Sequence, residues 1–232
     1  MNEIAVFSDV HGNRPALEEL IHQLEVNDIK TSIFLGDLIG YIPDSSVPDL
    51  LSSIKSLKFC ILGNHEMAYF ENSVNQKNHD YHHEQNLSNT SASTIENMKN
   101  WPLSLSIELS SKKCLFVHGT REEPTIGYCY PDSKIMESDY DFVFMGNTHR
   151  PFIRAAGRTT YVNVGSIGLP RDDGRYASFC IFDPEDGSVK ILRYSIENSN
   201  MDLLKKYPEI SIEVREVFNR REKFFRSETG PN

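Results

Sequence analysis

Five short apolar runs of this chain each end in residues that can bind a metal ion. Asp9 and His11 follow the first run, and Asp37 follows the second. The three later runs are followed in the same way by Asn64 with His65, by His118, and by Asn147 with His149. A mixed set of carboxylate, imidazole and amide groups suits Mn, Fe, Co, Ni or Zn better than Ca. The pattern predicts one metal centre assembled from five strand ends.

The spacing of these residues indicates how they can share ions. Asp9 and His11 are two residues apart, so in an extended segment their side chains point to the same side. Asp37 has two carboxylate oxygens and can bridge two ions. Two neighbouring ions lower the pKa of a shared water and hold a phosphoryl group from both sides. That chemistry is a physical reason for a chain to collect so many ligands in one place.

Alternating strands and helices must position the first of these residues. The predicted strands are 4–8, 32–35 and 59–62, separated by a helix that Asn13 caps and a helix near 49–57. This order predicts a parallel sheet with right-handed crossovers. Sites in such sheets form beyond the carboxyl ends of the strands, which is where the metal-type residues fall.

Short strands dominate the second half of the chain. They are predicted at 105–109, 113–117, 142–145, 158–164, 177–183 and 188–194. The polar stretch 68–100 is predicted to form loops and one or two helices over the site. This stretch contains His79, His82 and His83. Clustered histidines of this kind either bind a metal or are solvated loop residues. Two sheets with helices outside accommodate all of these elements.

The composition is that of an ordinary soluble protein. Of the 232 residues, 39% are hydrophobic and 25% are charged, with a formal net charge of -9. No apolar run approaches the length of a membrane span, and an acidic surface disfavours general binding to nucleic acid. The N-terminus lacks a signal-peptide pattern, and the four scattered cysteines lack CxxC spacing. We therefore expect free thiols and a cytoplasmic location.

A C-terminal amphipathic helical tail is predicted at 196–232, outside a domain that spans 1–195. Pro208 can open a helix there. The apolar residues that follow at helical spacing are Ile210, Val214, Val217, Phe218 and Phe225. Such a helix either packs on the body of the protein or provides a surface for a partner, which includes a homo-oligomer formed through the tail.

The complete series of motifs resembles the calcineurin-like metallophosphoesterase superfamily. The motifs are Asp-x-His, Gly-Asp, Gly-Asn-His-Glu, His-Gly and Gly-x-Thr-His, in that order. The narrower similarity is to small bacterial and archaeal YfcE-like phosphoesterases, supported by the phrases that begin at His11, Gly36, Thr148 and Asn163. The resemblance covers residues 1 to about 195. It implies an α/β fold, a four-layer α/β/β/α sandwich with a dinuclear centre at the strand ends.

The resemblance also implies a role for each residue of the centre. One metal would be held by Asp9, His11, Asp37 and His149, and a second by Asp37, Asn64 and His118. The implied catalytic residues are His65, Asp37 and Asn64. His65 would contact the substrate phosphate and protonate the leaving oxygen, and a metal-bridging hydroxide would be the nucleophile. The expected cofactors are two divalent ions, Mn²⁺ first, with Fe, Co, Ni or Zn as alternatives.

The sequence departs from the family at Asn147. The family usually has His-x-His in its last motif, and the first of these histidines completes the second metal site. An amide oxygen is a harder and weaker ligand than an imidazole. One hypothesis is that Asn147 ligates, and that the second site is weaker or prefers Mn²⁺ to softer ions. The other is that Asn147 only forms hydrogen bonds while a water replaces the ligand.

The reaction we expect is hydrolysis of small phosphate mono- or diesters, such as nucleotides, dinucleoside polyphosphates or sugar phosphates. Arg150 and Arg171 are candidates for substrate positioning, because arginine contacts phosphate through two hydrogen bonds. Specificity is expected to lie in 68–100 and in 120–138, where Arg121, Tyr128 and Tyr130 either contact a ligand or pack the loop. The alternatives are a nuclease of the same fold and a non-catalytic scaffold with a weakened second metal site.

Overall fold

A computed structural model describes residues 3–71 and 81–221 of the chain. The strands in these ranges are β1 (Ile4–Phe7), β2 (Thr31–Phe34), β3 (Leu57–Cys60), β4 (Ser104–Leu109), β5 (Lys112–Val117), β6 (Phe142–Met145), β7 (Phe152–Ala156), β8 (Thr159–Asn163), β9 (Tyr176–Asp183) and β10 (Ser188–Ser195). The helices are α1 (Arg14–Val26), α2 (Val47–Ser52), α3 (Asn64–Phe70), α4 (His83–Leu87), α5 (Ala92–Lys99), α6 (Glu197–Lys206) and α7 (Ile212–Asn219).

The first sheet has the strand order β10-β9-β1-β2-β3. Its strands β1, β2 and β3 are parallel, whereas β9 runs antiparallel to β1. The predicted β-α-β-α-β unit is confirmed, and the Asn13 side chain caps α1 by accepting a hydrogen bond from Ala16 N at 3.2 Å. Because β1 and β2 are parallel neighbours, the residues that follow them meet at one edge of the sheet.

The second sheet has the order β4-β5-β6-β8-β7. Strands β5, β6 and β8 are parallel, and β4 and β7 run antiparallel at the two edges. The sequence did not predict β7, which alternates between buried or half-buried and exposed residues and carries Arg154 at its centre. It forms a hairpin with β8 through Gly157, whose φ of 59° suits a tight turn.

The two sheets pack face to face. Val6 and Ile33 from the first sheet lie in one buried cluster with Phe116 and Phe144 from the second. The other side of the first sheet is covered by α1 and its helical neighbours. The outer side of the second sheet is covered by 118–141, where no helix is assigned. The α/β sandwich with two sheets is confirmed, and its fourth layer is this irregular segment.

Two helical regions differ from the sequence-based expectation. The helix expected near 49–57 is α2, which ends at Ser52 because residue 57 already belongs to β3. The tail contains α6 and α7 on either side of Pro208, not one helix that starts there. The tail helices pack on Ile42 and Leu169 through Leu203, Ile210, Val214, Val217 and Phe218. Phe225 lies outside the described residues, and the division at residue 195 stays a prediction.

The cysteine prediction is confirmed, because all four cysteines are free. Burial raises the pKa of Cys114 to about 12, so this thiol stays protonated and inert at neutral pH. Within 3–71 and 81–221, no helix is long and apolar enough to cross a membrane.

Candidate metal centre

Five residues of the centre lie in left-handed turns that follow the strands. The φ angle is 50–61° at Asp9, His11, Asp37, Asn147 and His149. Residues other than glycine rarely adopt this conformation, which costs of order 1–3 kcal/mol and persists where the surrounding structure enforces it. Backbone hydrogen bonds hold the turn after β1 against the turn after β2. Asp9 N donates to Gly36 O at 3.0 Å, and His11 N donates to Asp37 O at 3.1 Å.

Glu66 holds the turn that carries Asp37. Its Oε2 accepts hydrogen bonds from the backbone N–H of Asp37 at 2.8 Å and of Gly63 at 3.0 Å. Its Oε1 accepts from Leu38 N at 2.8 Å and Ile39 N at 3.1 Å. No role was predicted for Glu66 from the sequence, although a Glu three residues after a helix N-cap is a recognisable capping signal.

Three histidines of the centre share one orientation. In each ring Nδ1 lies beside a backbone carbonyl oxygen, at 3.2 Å for His11 to Ile39, 2.8 Å for His118 to Leu35 and 2.6 Å for His149 to Leu169. A carbonyl oxygen only accepts hydrogen bonds, so Nδ1 is the protonated nitrogen in all three rings. The other nitrogen, Nε2, is therefore the one available to a metal, as in metal sites where a second partner fixes the ring.

Asp9, His11 and His149 form the first group of candidate ligands. Oδ1 of Asp9 lies 3.1 Å from Nε2 of His149 and 3.6 Å from Nε2 of His11, and the two Nε2 atoms are 3.1 Å apart. Oδ1 of Asp9 is buried and has no hydrogen-bond partner among the described residues. Electron pairs that face one another at these distances repel unless a cation lies between them. The group therefore fits a metal ion.

Asp37 connects this group with a second one that contains Asp9, Asp37 and His118. Oδ2 of Asp37 lies 3.3 Å from Nε2 of His118 and 3.7 Å from Nε2 of His11. Oδ1 of Asn64 lies 3.0 Å from the same Nε2 of His118. One carboxylate oxygen thus faces a histidine from each group, which is the geometry that a bridging ligand requires.

Burial and charge set the protonation of the centre. Burial alone would raise the pKa of Asp9 and Asp37, but the neighbouring histidines outweigh it and hold both pKa values below the usual range. Burial also disfavours the cationic form of His118, yet the charges of Asp37 and Asp9 raise its pKa to about 9. Burial lowers the pKa of His149 to about 4. Near neutral pH, therefore, His118 is cationic and His149 is neutral in the metal-free protein.

Asn147 is buried at the edge of the centre. Its Nδ2 donates to Gly127 O at 2.8 Å, and its backbone N–H donates to Oδ2 of Asp9 at 3.1 Å. These contacts agree with the hypothesis that Asn147 forms hydrogen bonds, and they orient Asp9. A role as a metal ligand through its oxygen stays a prediction.

His65 lies beside the second group but in a different environment. Its Nε2 is 3.9 Å from Oδ2 of Asp37, and its Nδ1 is 2.9 Å from Nε2 of His83. His83 and His82 are only 5% and 9% exposed, so neither is the solvated loop residue that was one of the two interpretations. His79 lies outside the described residues.

The candidate substrate residues are less uniform. Arg171 is half-buried, and its charge acts on His149 and on Tyr41, which places it beside the centre. Arg150 is also half-buried, directly after His149. Arg121 instead forms an exposed ion pair with Glu122 at 2.7 Å. The exposed rings of Tyr128 and Tyr130 are parallel, with centroids 6.0 Å apart.

The sequence of this chain is similar to those of known proteins. A family model described as the calcineurin-like phosphoesterase superfamily domain matches residues 2–187. The uncharacterized protein MJ0912 of Methanocaldococcus jannaschii is 29% identical over 230 residues, which cover 87% of this chain and 92% of that protein.

Solved structures share the fold. The hypothetical protein PH1004 of Pyrococcus horikoshii aligns with a TM-score of 0.77 and 19% identity, covering 94% of this chain and 98% of that one. A metallophosphoesterase of Sphaerobacter thermophilus gives 0.75 and 20% with the same coverages. Yfce, a phosphoesterase from E. coli, gives 0.52 and 18%, covering 84% of this chain and 99% of that one. At these identities the likeness to the three structures is one of fold.

Proposed function

The chain belongs to the calcineurin-like phosphoesterase superfamily and is a metallophosphoesterase, and on this premise we propose that it hydrolyses small phosphate mono- or diesters at a dinuclear centre. The observation that carries the proposal is the position of Oδ2 of Asp37, within 3.7 Å of Nε2 atoms that belong to both candidate ligand groups. A carboxylate placed in this way could serve as a ligand to both ions of such a centre.

The proposed ligands follow from the donor atoms that face the centre. One ion would be held by Asp9, His11, Asp37 and His149, and the other by Asp37, Asn64 and His118, with Asn147 as a further candidate. We propose Mn²⁺ first, with Fe, Co, Ni or Zn as alternatives, because a set of nitrogen and oxygen donors without thiolate accepts all of these ions. When bound, two such ions supply an activated water and charge stabilisation for the phosphoryl group.

Other residues of the chain would bind and orient the substrate. His65 is buried beside Asp37 and would assist the leaving group through Nε2. Arg171 brings a positive charge to the His149 side of the centre and would pair with phosphate oxygens. Glu66 would act through Asp37, because it fixes the backbone on which that carboxylate stands.

The substrate class we propose is small rather than polymeric. A formal net charge of -9 opposes the general attraction of polynucleotides that a nuclease needs. The candidates remain nucleotides, dinucleoside polyphosphates and sugar phosphates, acted on in the cytoplasm. We also keep the proposal that the tail contributes to a homo-oligomer.

A substrate panel tests the proposal. The panel contains p-nitrophenyl phosphate, its bis ester, nucleotides, dinucleoside polyphosphates and sugar phosphates, each with Mn²⁺. Turnover of a small ester supports the proposal and ranks monoesters against diesters. Absence of turnover in the metal-loaded protein would favour a scaffold, and salt-sensitive cleavage of single-stranded nucleic acid would favour a nuclease.

A further inference from the structure

The hydrogen-bond partner of Nδ1 distinguishes His65 from the other histidines of the centre. In His11, His118 and His149, Nδ1 donates to a backbone carbonyl oxygen, which leaves Nε2 as the nitrogen that a metal can bind. In His65, Nδ1 lies 2.9 Å from Nε2 of His83. A neutral imidazole nitrogen can either donate or accept. His65 therefore lacks the carbonyl oxygen that fixes the proton on Nδ1 of the other three rings and leaves their Nε2 atoms to a metal.

The surroundings of His83 favour one of its two tautomers. Its Nδ1 is buried and has no hydrogen-bond partner within 3–71 and 81–221. In protein backbones, buried N–H groups without an acceptor are rarer than buried acceptors without a donor, so the unpaired Nδ1 is better placed as the bare nitrogen. Burial also lowers the pKa of His83 to about 4, which leaves the ring neutral. Its proton then lies on Nε2, the atom that faces His65.

This tautomer of His83 fixes the proton of His65. When Nε2–H of His83 donates to Nδ1 of His65, the proton of a neutral His65 ring must lie on Nε2. That nitrogen is 3.9 Å from Oδ2 of Asp37, at the edge of the metal centre. Because His binds metals through a bare nitrogen, a protonated Nε2 does not ligate. It donates a hydrogen bond instead.

We propose that His83 is a positioning residue that keeps the proton of His65 on Nε2, aimed at the oxygen on which charge develops as the ester bond breaks. The catalytic part of this inference rests on the proposed function, whereas the tautomer does not. His65 forms a group with His11 and Asp37 that could otherwise hold a metal. A proton on Nε2 excludes His65 from the ligands of such a site. A preoriented donor of this kind stabilises charge that appears in the transition state.

Two neighbours of the pair support the arrangement. Gly40 has a φ of 104°, and a Cβ atom there would lie 2.2 Å from Nδ1 of His65, so the absence of a side chain leaves room for the ring. The ring of Tyr81 stacks on His83 with centroids 5.5 Å apart and meets the His65 ring edge-on at 4.8 Å. Packing by a rigid aromatic ring fixes the orientation of both histidines.

The first test reads the tautomers directly. Long-range ¹H–¹⁵N spectra of the imidazole rings separate protonated from bare nitrogens, and the full chain loaded with diamagnetic Zn²⁺ is suitable. We expect His65 to show a protonated Nε2 and a bare Nδ1, opposite to His11, His118 and His149. A bare or metal-bound Nε2 on His65 would overturn the inference, whatever the catalytic activity of the protein.

The second test compares two esters that differ in their leaving group. In His83→Ala, kcat/KM for phenyl phosphate, whose leaving group needs help, should fall by about 10- to 100-fold. For p-nitrophenyl phosphate, which has a good leaving group, the loss should be clearly smaller. His83→Gln should recover much of the kcat/KM that His83→Ala loses on phenyl phosphate, because the Gln amide can donate to Nδ1 of His65.

His82→Asn is the matched control, because Asn also tolerates the left-handed backbone of His82, whose φ is 51°. The His82→Asn variant should hydrolyse both esters at rates near those of the wild type. An equal loss on both esters in His83→Ala, or no loss, overturns the catalytic part of the inference. No turnover of either ester by the wild type would instead count against the proposed function, and the spectra would still decide the tautomer.

Discussion

Oδ2 of Asp37 lies 3.3 Å from Nε2 of His118. Nδ1 of His118 donates to Leu35 O, so the remaining nitrogen either carries a proton shared with Asp37 or binds a metal. The carboxylates of Asp37 and Asp9 outweigh burial and raise the pKa of His118 to about 9. Proton and metal therefore compete for the same nitrogen.

This competition predicts proton release on metal binding. At pH 7.5, below the raised pKa of His118, binding of a metal at the second group should release about one proton. Metal affinity should rise with pH and level off above about 9, the pKa of His118 in the metal-free protein. Titration calorimetry in two buffers of different ionisation enthalpy measures the number of protons released per metal ion bound. A His118→Asn variant should release fewer protons, and a wild-type protein that releases none would contradict the assignment.

A second prediction concerns the carboxylate of Glu66. Four backbone N–H groups converge on its two oxygens. Glu66→Gln replaces one acceptor oxygen with an NH₂ group that opposes these donors, and it should lower the free energy of unfolding by about 2–4 kcal/mol. Chemical denaturation measures the change.

Glu18→Gln is the control for Glu66→Gln, because Glu18 forms an exposed pair with Arg14 on α1. Its effect should stay within about 0.5 kcal/mol. If the two variants unfold at the same denaturant concentration, the bonds to Glu66 contribute little and its positioning role is wrong.

A third prediction concerns the departure from the family at Asn147. Asn147→His supplies an imidazole and removes the bond from Nδ2 to Gly127 O. We expect tighter binding of Zn²⁺ at the second site and a weaker preference for Mn²⁺. Metal titrations of both proteins test this. Two equally tight sites in the wild type, unchanged by the substitution, would contradict it.

A fourth prediction concerns Arg171. Its charge acts on His149 and Tyr41, so Arg171→Ala should raise KM for a phosphate ester by about tenfold, the size of one charge-assisted hydrogen bond, with a smaller change in kcat. Arg158→Ala removes an arginine whose partners are the surface residues Glu137 and Asp139. An equal effect of the two substitutions on KM would argue against a role of Arg171 in binding substrate.

Much of the centre was predictable because strand ends determine it. Asp9 and Asp37 follow parallel strands, and the polar residues after an apolar run are visible in the sequence. The helix capped by Asn13 was predictable for the same local reason.

The remaining features depend on contacts between distant parts of the chain. The carbonyl partner of His149 comes from Leu169, beyond two further strands. The pairing of His65 with His83 depends on how the segment after α3 returns over the site. Periodicity in the sequence does not predict such contacts. The family resemblance separated His65 from the ligands, but the sequence did not predict that His83 is its partner.

Asp37 is the residue that we propose to join two metal ions into one hydrolytic centre. The most direct test of this proposal is the rate of p-nitrophenyl phosphate hydrolysis with Mn²⁺, measured for the wild type and for Asp37→Asn under the same conditions. We expect Mn²⁺-dependent turnover by the wild type and a loss of at least about 100-fold in the variant. Turnover by Asp37→Asn at a rate near that of the wild type would contradict it.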